Sequence, residues 1–515
     1  MLYDFIKLKG YQNMKRKISL LLVLLMLGSQ FAACSESTEN ADTTAAANTP
    51  NAGTAETTPA ETEDTSLVFD LEAKSFDGYT FNIYQHYVHN GCHLDFMAEE
   101  MTGEPINDAD MERRTIVEDK CNVSIVPIQV DETAWKGHST MEIAVRAGTN
   151  DYDLAGISAY SAATSLLAGL LTDLNTIENL DMSKSWWDQY CNEECTFGNS
   201  LYFMTGDISI NDNKATYCYY FNKSLAADYQ IPNMYDDVHN MKWTIDKFKE
   251  YATILPIDMD TDNDGKHTND TDDTYAVWIW DDIMMGIVNS SGVKCATITD
   301  GNLGYTLNTE KLYNAFDKFA SYAFDQGITC AYQRSGYDKQ YGQIGFSEGR
   351  GLFLLSYLWD ATAFRDMEDD FGILPMPLYD ETQSRYYNSV ASYPMSFFVV
   401  PMCTFSAEEY ARTGYLTQML GYESKIHMTP AYYEQTLQNK VSRDEESAAM
   451  LDLIFSTRTY DFGWYFELSD LGGVLMNSLR NYDKNLSSAI RAKDKVVAKS
   501  IDKYNKVISE LGAIE

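Results

Sequence analysis

Apolar and polar positions after residue 66 follow two periods in turn. Tyr79 to Tyr87 (YTFNIYQHY) is aromatic and β-branched and predicts a strand. Asp108 to Val130 predicts a helix carrying Ile116 and Val117, then a second strand from Val123. Met141 to Ala147 predicts a helix ended by Gly148. Tyr152 to Ser158 (YDLAGIS) predicts a buried strand, with Ala163 to Leu174 the helix after it. This cadence of strand and helix is that of an α/β layer on a parallel sheet. A second unit is expected from Leu201 to Asp207 onward, where Ala215 to Tyr229 predicts a strand and then a helix. Thr244 is a candidate N-cap for a helix with Phe248, Tyr251, Ala252 and Leu255 on one face. Near the end, Val497, Ile501, Tyr504, Ile508 and Leu511 alternate in steps of four and three, a core stripe. No internal repeat is visible.

The first 65 residues follow neither period. Lys15-Arg16-Lys17 precedes an apolar run from Ile18 to Leu27, then Gly28, Ser29 and Gln30. Charge, apolar core and small residues are the order of a secretory signal, and Met14 is a second candidate start. At about 1.5 Å per residue the run spans roughly 15 Å, against about 30 Å of bilayer hydrocarbon, too short for a permanent span. Phe31-Ala32-Ala33-Cys34 resembles a bacterial lipobox, which implies a signal peptide over 1–33 and a lipid on Cys34. The alternative is a plain cleaved leader with Cys34 incidental. Ser35 to Thr65 holds no aromatic residue, no Lys or Arg, and seven Asp or Glu. So little apolar surface cannot offset the entropy of ordering, so 34–65 is expected to be a disordered acidic linker. Lipid and linker together read as a tether to the extracytoplasmic face of a bacterial cell membrane.

Charge narrows the function. The chain carries a formal −37, and loss of residues 1–33, which hold five basic residues and one acid, would leave −41. This argues strongly against nucleic-acid binding, which relies on Lys and Arg at phosphates. The 36 Tyr and 8 Trp exceed what a core alone asks for and suit flat or sugar-like ligands. Eight cysteines besides Cys34 (Cys92, Cys121, Cys191, Cys195, Cys218, Cys295, Cys330 and Cys403) show no disulfide framework and no metal spacing. Most are expected to be small buried thiols.

Segment order then carries a resemblance. Ile344 to Asp360 (IGFSEGRGLFLLSYLWD) is followed by Asp370 to Asp380 (DFGILPMPLYD) and Tyr387 to Pro401 (YNSVASYPMSFFVVP). This resembles the extracellular solute-binding proteins of ABC importers, the group that includes maltose and oligosaccharide binders. The matching features are Phe346, Gly349 and Phe353 at the start of a helix, Trp359 near the ligand, and Pro375 in a turn. The resemblance implies a two-lobed α/β fold of the periplasmic-binding-protein type (type II), each lobe a sheet flanked by helices, with a cleft between them. Lobe 1 is expected at 66–207 and 388–425, and lobe 2 at 208–387 and 426–515. It further implies a monomer without catalytic chemistry, which captures a solute, most simply a carbohydrate, and presents it to an ABC permease.

Ligands of open α/β sheets lie beyond the carboxyl ends of strands. In lobe 1 this points to Ser158, Tyr160 and Ser161, and at the first crossing to Asp207, Asn211 and Asp212. In lobe 2, Trp278, Trp280 and Trp359 are candidate stacking faces and Asp282 a polar partner. The competing role for each Trp is core packing. A separate motif, Asp260-x-Asp262-x-Asp264-Gly265, has the alternating acids and turn glycine of a calcium loop. Lys266 would supply its carbonyl, and Asp273 would close the loop after a two-residue insertion, holding a structural Ca2+. The competing reading is a solvated acidic turn. The main rival function is a tethered carbohydrate hydrolase, but HExxH, GxSxG and P-loop motifs are missing from the sequence.

Overall fold

The computed structural model describes residues 67–87, 93–255, 274–333, 340–438 and 445–511. Cys34, the leader, the acidic linker and the calcium-loop residues Asp260, Asp262, Asp264, Lys266 and Asp273 lie outside the described residues.

Four strands build the first lobe: β1 (Tyr79–Tyr87), β2 (Val123–Asp131), β3 (Leu154–Ser158) and β12 (Ser396–Val399), in the order β12-β3-β1-β2. β1 runs parallel to β2, with Tyr79 opposite Val123, and parallel to β3, with Ile83 opposite Leu154. β12 closes antiparallel on β3. Parallel neighbours need crossover helices, here Pro105–Cys121 and Ser139–Ala147. Each crossover ends in the left-handed region. Asn122 (φ 48) bonds back to the Glu118 carbonyl and turns the chain into β2, and Gly148 (φ 68) ends the second helix as expected. The central strand β3 is buried at all five positions, whereas the edge strand β2 alternates over its first four.

The second lobe holds β4 (Tyr217–Asn222), β5 (Tyr275–Ile279), β8 (Thr329–Ala331), β9 (Gly351–Tyr357) and β10 (Phe371–Leu374), in the order β10-β4-β9-β5-β8. β5 is parallel to β8 and β9, while β4 is antiparallel to β9 and β10. Three segments meet in a small joint between the sheets. β11 (Asn388–Ser389) pairs in parallel with β13 (Arg458–Thr459), and Thr216 bridges Val390. A hairpin of β6 (Ala296–Thr299) and β7 (Asn302–Tyr305) packs on the last helix, Leu486–Leu511.

Several expectations change. The helix foreseen over Ala163 to Leu174 is Ala159–Leu167, begun by Ser158 and followed by Gly169 at φ 66, after which Leu171 bridges Pro401. The segment Leu201 to Asp207 does not open a second unit, because Met204 pairs with Phe398 of β12. Phe346 does not begin a helix but nearly ends one, Gln340–Ser347. Gly349 (φ 73) then turns the chain, and Phe353 lies on β9. The lobe boundary foreseen between 425 and 426 falls inside one helix, Ala407–Gln438, and the next helix, Glu445–Phe455, already packs on β10 of the second sheet. Cys121, Cys191, Cys195, Cys218, Cys295 and Cys330 are buried free thiols, and Cys403 is a half-buried one.

Candidate functional site

Both sheets direct the carboxyl ends of their parallel strands to one region. β3 ends at Ser158, followed by Tyr160, and β2 runs out into the loop bearing Trp135. β12 is antiparallel, so its amino end, with Ser392 and Tyr393, joins them. In the second lobe, β5 ends at Ile279, followed by Trp280, Asp281 and Asp282, while β9 ends at Tyr357, followed by Trp359. Tyr217, at the amino end of antiparallel β4, stands opposite Tyr357.

On the lobe 1 side, Trp135 stacks on Tyr160 with ring centroids 5.3 Å apart and planes 7° from parallel. Tyr393 leans on Trp135 at 6.1 Å. Trp135 is 48% exposed and Tyr393 40% exposed, which is unusual for rings held this firmly. The Tyr160 hydroxyl lies 2.9 Å from Ser392 Oγ. Glu467 faces Trp135, and nearby a concavity of about 600 Å³ is lined by Asp131, Glu132, Thr133, Lys136 and Ser139.

Ser158 and Ser161 are fully buried and reach no open space. Ser158 Oγ accepts from Ser161 N at 3.2 Å, capping the helix Ala159–Leu167. Both hydroxyls donate to the carbonyl of Ala134, Ser161 at 2.7 Å. The two serines therefore hold the residue before Trp135.

On the lobe 2 side, Tyr357 donates its hydroxyl to the Asp282 carboxylate, and Tyr217 Oη donates to the Asp282 carbonyl at 3.0 Å. The two tyrosines touch, centroids 4.9 Å apart. Trp280 is half-buried and tilts against Tyr332 at 5.3 Å. Trp359 is half-buried at the cleft end of β9. Trp278 is not a stacking face. It is fully buried, its Nε1 donates to the Arg350 carbonyl at 2.9 Å, and Gly345 and Gly351 lie so close to its ring that an added Cβ would clash.

The two sides meet electrostatically. Burial, together with the carboxylates of Glu467 and Asp282, pushes the Tyr160 hydroxyl well above its ordinary pKa. Burial does the same to Tyr217, whose neighbours include Asp282 and Tyr160. Thus Tyr160 of one lobe and Asp282 of the other lie within electrostatic reach of each other. Asp207, Asn211 and Asp212 do not join it through any contact described. Asp207 accepts from Thr429 and from Lys425 Nζ at 3.1 Å. Asn211 bonds both backbone groups of His93, at 2.8 and 2.9 Å. Asp212 sits in the joint beside Arg458.

Sequence reading missed Trp135, Tyr393, Tyr217, Tyr357 and Glu467. Applying to β2 the strand-end rule used for β3 would have found Trp135. Tyr393 and Tyr217 sit at amino ends of antiparallel strands, which no local pattern distinguishes. Among the described residues, one trio, His93, Asp95 and Asp110, has metal-ligand chemistry. Arg113 Nη2 lies 2.9 Å from Asp95 and 2.5 Å from Asp110, so the guanidinium already takes the place of a cation.

No protein-family model matches the chain, and no curated protein matches it. Solved structures do. A cyclo/maltodextrin-binding protein complexed with maltotetraose superposes with a TM-score of 0.53 at 13% identity, over 85% of this chain and 98% of that one. An ABC substrate-binding protein from Listeria monocytogenes, in complex with cycloalternan, gives 0.50 at 13% identity over 84% and 100%. UgpB from Mycobacterium tuberculosis, in complex with glycerophosphocholine, gives 0.50 at 13% identity over 84% and 98%. The chain has the two-lobed, periplasmic-binding-protein-like α/β fold of these solute-binding proteins.

Proposed function

We propose that this chain is the binding component of an ABC importer and captures a sugar or oligosaccharide between its lobes. The observation that carries the reading is that two exposed rings of lobe 1, Trp135 and Tyr393, packed with the half-buried Tyr160, face the oriented carboxylate of Asp282 from lobe 2. A sugar offers an apolar face to stack on and hydroxyls for carboxylates to accept from. Two of the structural neighbours hold oligosaccharides, which supports the class; the third holds glycerophosphocholine, so the fold alone does not choose it. A solute that touches both lobes only when they are closed shifts the open–closed balance by its differential affinity, and the closed shape is the signal to a permease. A lipid on Cys34 would tether the protein at the outer face of a bacterial membrane, as a monomer beside its permease.

The test is a glycan panel screened by thermal shift, followed by calorimetry on each hit. A ligand that binds only the folded state raises the melting temperature. The expected result is heat from one site per chain with the sugar recovered intact. Recovery of cleaved sugar would favour the tethered hydrolase. A panel in which no glycan shifts the melting temperature would overturn the carbohydrate assignment.

A further inference from the structure

A single guanidinium ties the joint from three directions. Arg458, on β13, places Nη2 2.8 Å from Asp188 Oδ2 and Nη1 3.0 Å from Asp212 Oδ2, and Nη1 also donates to Asn213 Oδ1 at 2.6 Å. Asp188 belongs to lobe 1, where it caps the helix Gln189–Glu194 by accepting from Cys191 N at 2.9 Å. Asp212 and Asn213 lie on the segment that first crosses between the sheets, and Arg458 lies on β13, which pairs with β11 in the joint. The side chains of both aspartates are 1% exposed. Two buried carboxyl groups thus share one cation where screening is weak.

They do not share it equally. Asp188 accepts from Cys191 N and also from Tyr460 Oη at 2.9 Å. Asp212 Oδ1 accepts from Asn213 N at 2.7 Å, but its Oδ2, although close to Arg458, is buried without a hydrogen bond, and so is Arg458 Nε. The other charges facing this point are provided for. Asp207 is held by Lys425 and Thr429. Glu194, on the helix that also bears Cys191, pairs with Lys294 and accepts from Tyr460 N at 2.5 Å. Tyr433 faces Arg458 and Asp207 from the helix Ala407–Gln438. A cavity of about 190 Å³, lined by Asp207, Asp212, Lys425, Thr429, Tyr433 and Arg458 among others, reaches the pair and gives water a route to it. Burial pushes the Asp212 carboxyl up to about 7 against the pull of Arg458.

We propose that the joint between the lobes is proton-responsive: a proton taken up on Asp212 releases the first crossing from Arg458 and widens the range of lobe separations. When Asp212 is ionised, the guanidinium binds the first crossing through a charge and through Asn213. When it is neutral, Asn213 alone remains and Arg458 turns wholly to Asp188. The proposal concerns the joint of the two-lobed fold and does not depend on which solute binds.

Its test uses the ligand-free full chain. Spin labels are attached through introduced bio-orthogonal residues at Ile143 on lobe 1, 69% exposed, and Glu250 on lobe 2, 61% exposed, leaving the native thiols untouched. Pulsed dipolar distances are recorded through a pH series, with infrared detection of protonated buried carboxyl groups. The distance distribution is expected to broaden on acidification, in step with a carboxyl band that Asp212→Asn removes, and the variant is expected to stay broad at every pH. A distribution that ignores pH, or a broadening that persists in Asp212→Asn, overturns the proposal. If Asp212→Asn does not fold, the wild-type series decides alone: a carboxyl band that titrates without any change in distance also overturns it.

Discussion

The indole of Trp135 lies parallel to the ring of Tyr160, 7° apart in plane and 5.3 Å between centroids, while nearly half of Trp135 remains exposed. A solvent-exposed indole locked in place by its neighbours is a preorganised platform, because its rotamer entropy is lost on folding and not on binding. Trp135→Ala is therefore expected to weaken the best glycan of the panel by about tenfold or more, equivalent to about 1.4 kcal/mol. The melting temperature of the free protein should hardly move, since little buried area is lost. Calorimetry beside a thermal scan checks both. Unchanged affinity would place the ligand elsewhere.

Ser158 and Ser161 are expected to matter at second hand. Each hydroxyl donates to the Ala134 carbonyl, and each such bond contributes about 1 kcal/mol. Replacing both with Ala leaves that carbonyl unmet and removes the cap on Ala159–Leu167, so the double variant should lose about 2–3 kcal/mol of stability. Its ligand affinity should fall as well, because Trp135 loses its anchor. Urea unfolding and calorimetry on the same preparation would separate the two effects. A loss of stability with affinity intact would remove the serines from the site altogether.

The tryptophans of lobe 2 should divide by burial. Trp278→Ala empties a fully enclosed site and is expected to cost about 3–5 kcal/mol. Trp280→Ala and Trp359→Ala, at half-buried positions beyond strand ends, should cost less stability and more affinity. If Trp278→Ala weakened binding while leaving stability untouched, its assignment to the core would fall.

Metal removal tests the acidic loop. If Asp260, Asp262, Asp264, the Lys266 carbonyl and Asp273 hold Ca2+, a chelator should lower the melting temperature of the intact protein, since loss of a ligand specific to the folded state removes its stabilisation. An Asp262→Ala, Asp264→Ala variant should not respond. Equal responses from both proteins would count against the site.

The sequence made some of this legible and not the rest, for physical reasons. The bounds of β1 are legible to its last residue because this central parallel strand carries its own run of aromatic and β-branched side chains. Thr244 was legible as a cap, and it does accept from Lys247 N at 3.1 Å, because a cap is local chemistry. The helix after β3 begins at Ala159 and not at Ala163, because Ser158 closes the strand and caps the helix at once, accepting from Ser161 N and donating to the Ala134 carbonyl. Trp278 and Trp280 lie two residues apart at the end of one strand, and only tertiary packing separates them: one is sealed by two glycines and the other faces Tyr332. The Arg458 cluster was invisible because Asp188, Asp212 and Arg458 meet from three distant segments.

That cluster yields the last prediction, on stability against pH. An aspartate that titrates near 3.8 when unfolded and near 7 when folded binds more protons in the native state between those values. Stability from this group is then fully present below about 3.8 and is lost as pH rises through 7. At about 1.4 kcal/mol per unit, the loss is a few kcal/mol. Asp212→Asn carries no charge at any pH, so it should escape that loss. Urea unfolding of both proteins through a pH series should find the variant gaining on wild type as pH rises, reaching its full advantage above neutrality and returning toward parity in acid. Other carboxylates change stability over the same range, but they do so in both proteins, and the difference isolates Asp212. A variant less stable than wild type at high pH would mean that the attraction between Asp212 and Arg458 outweighs the cost of burying a second anion beside Asp188.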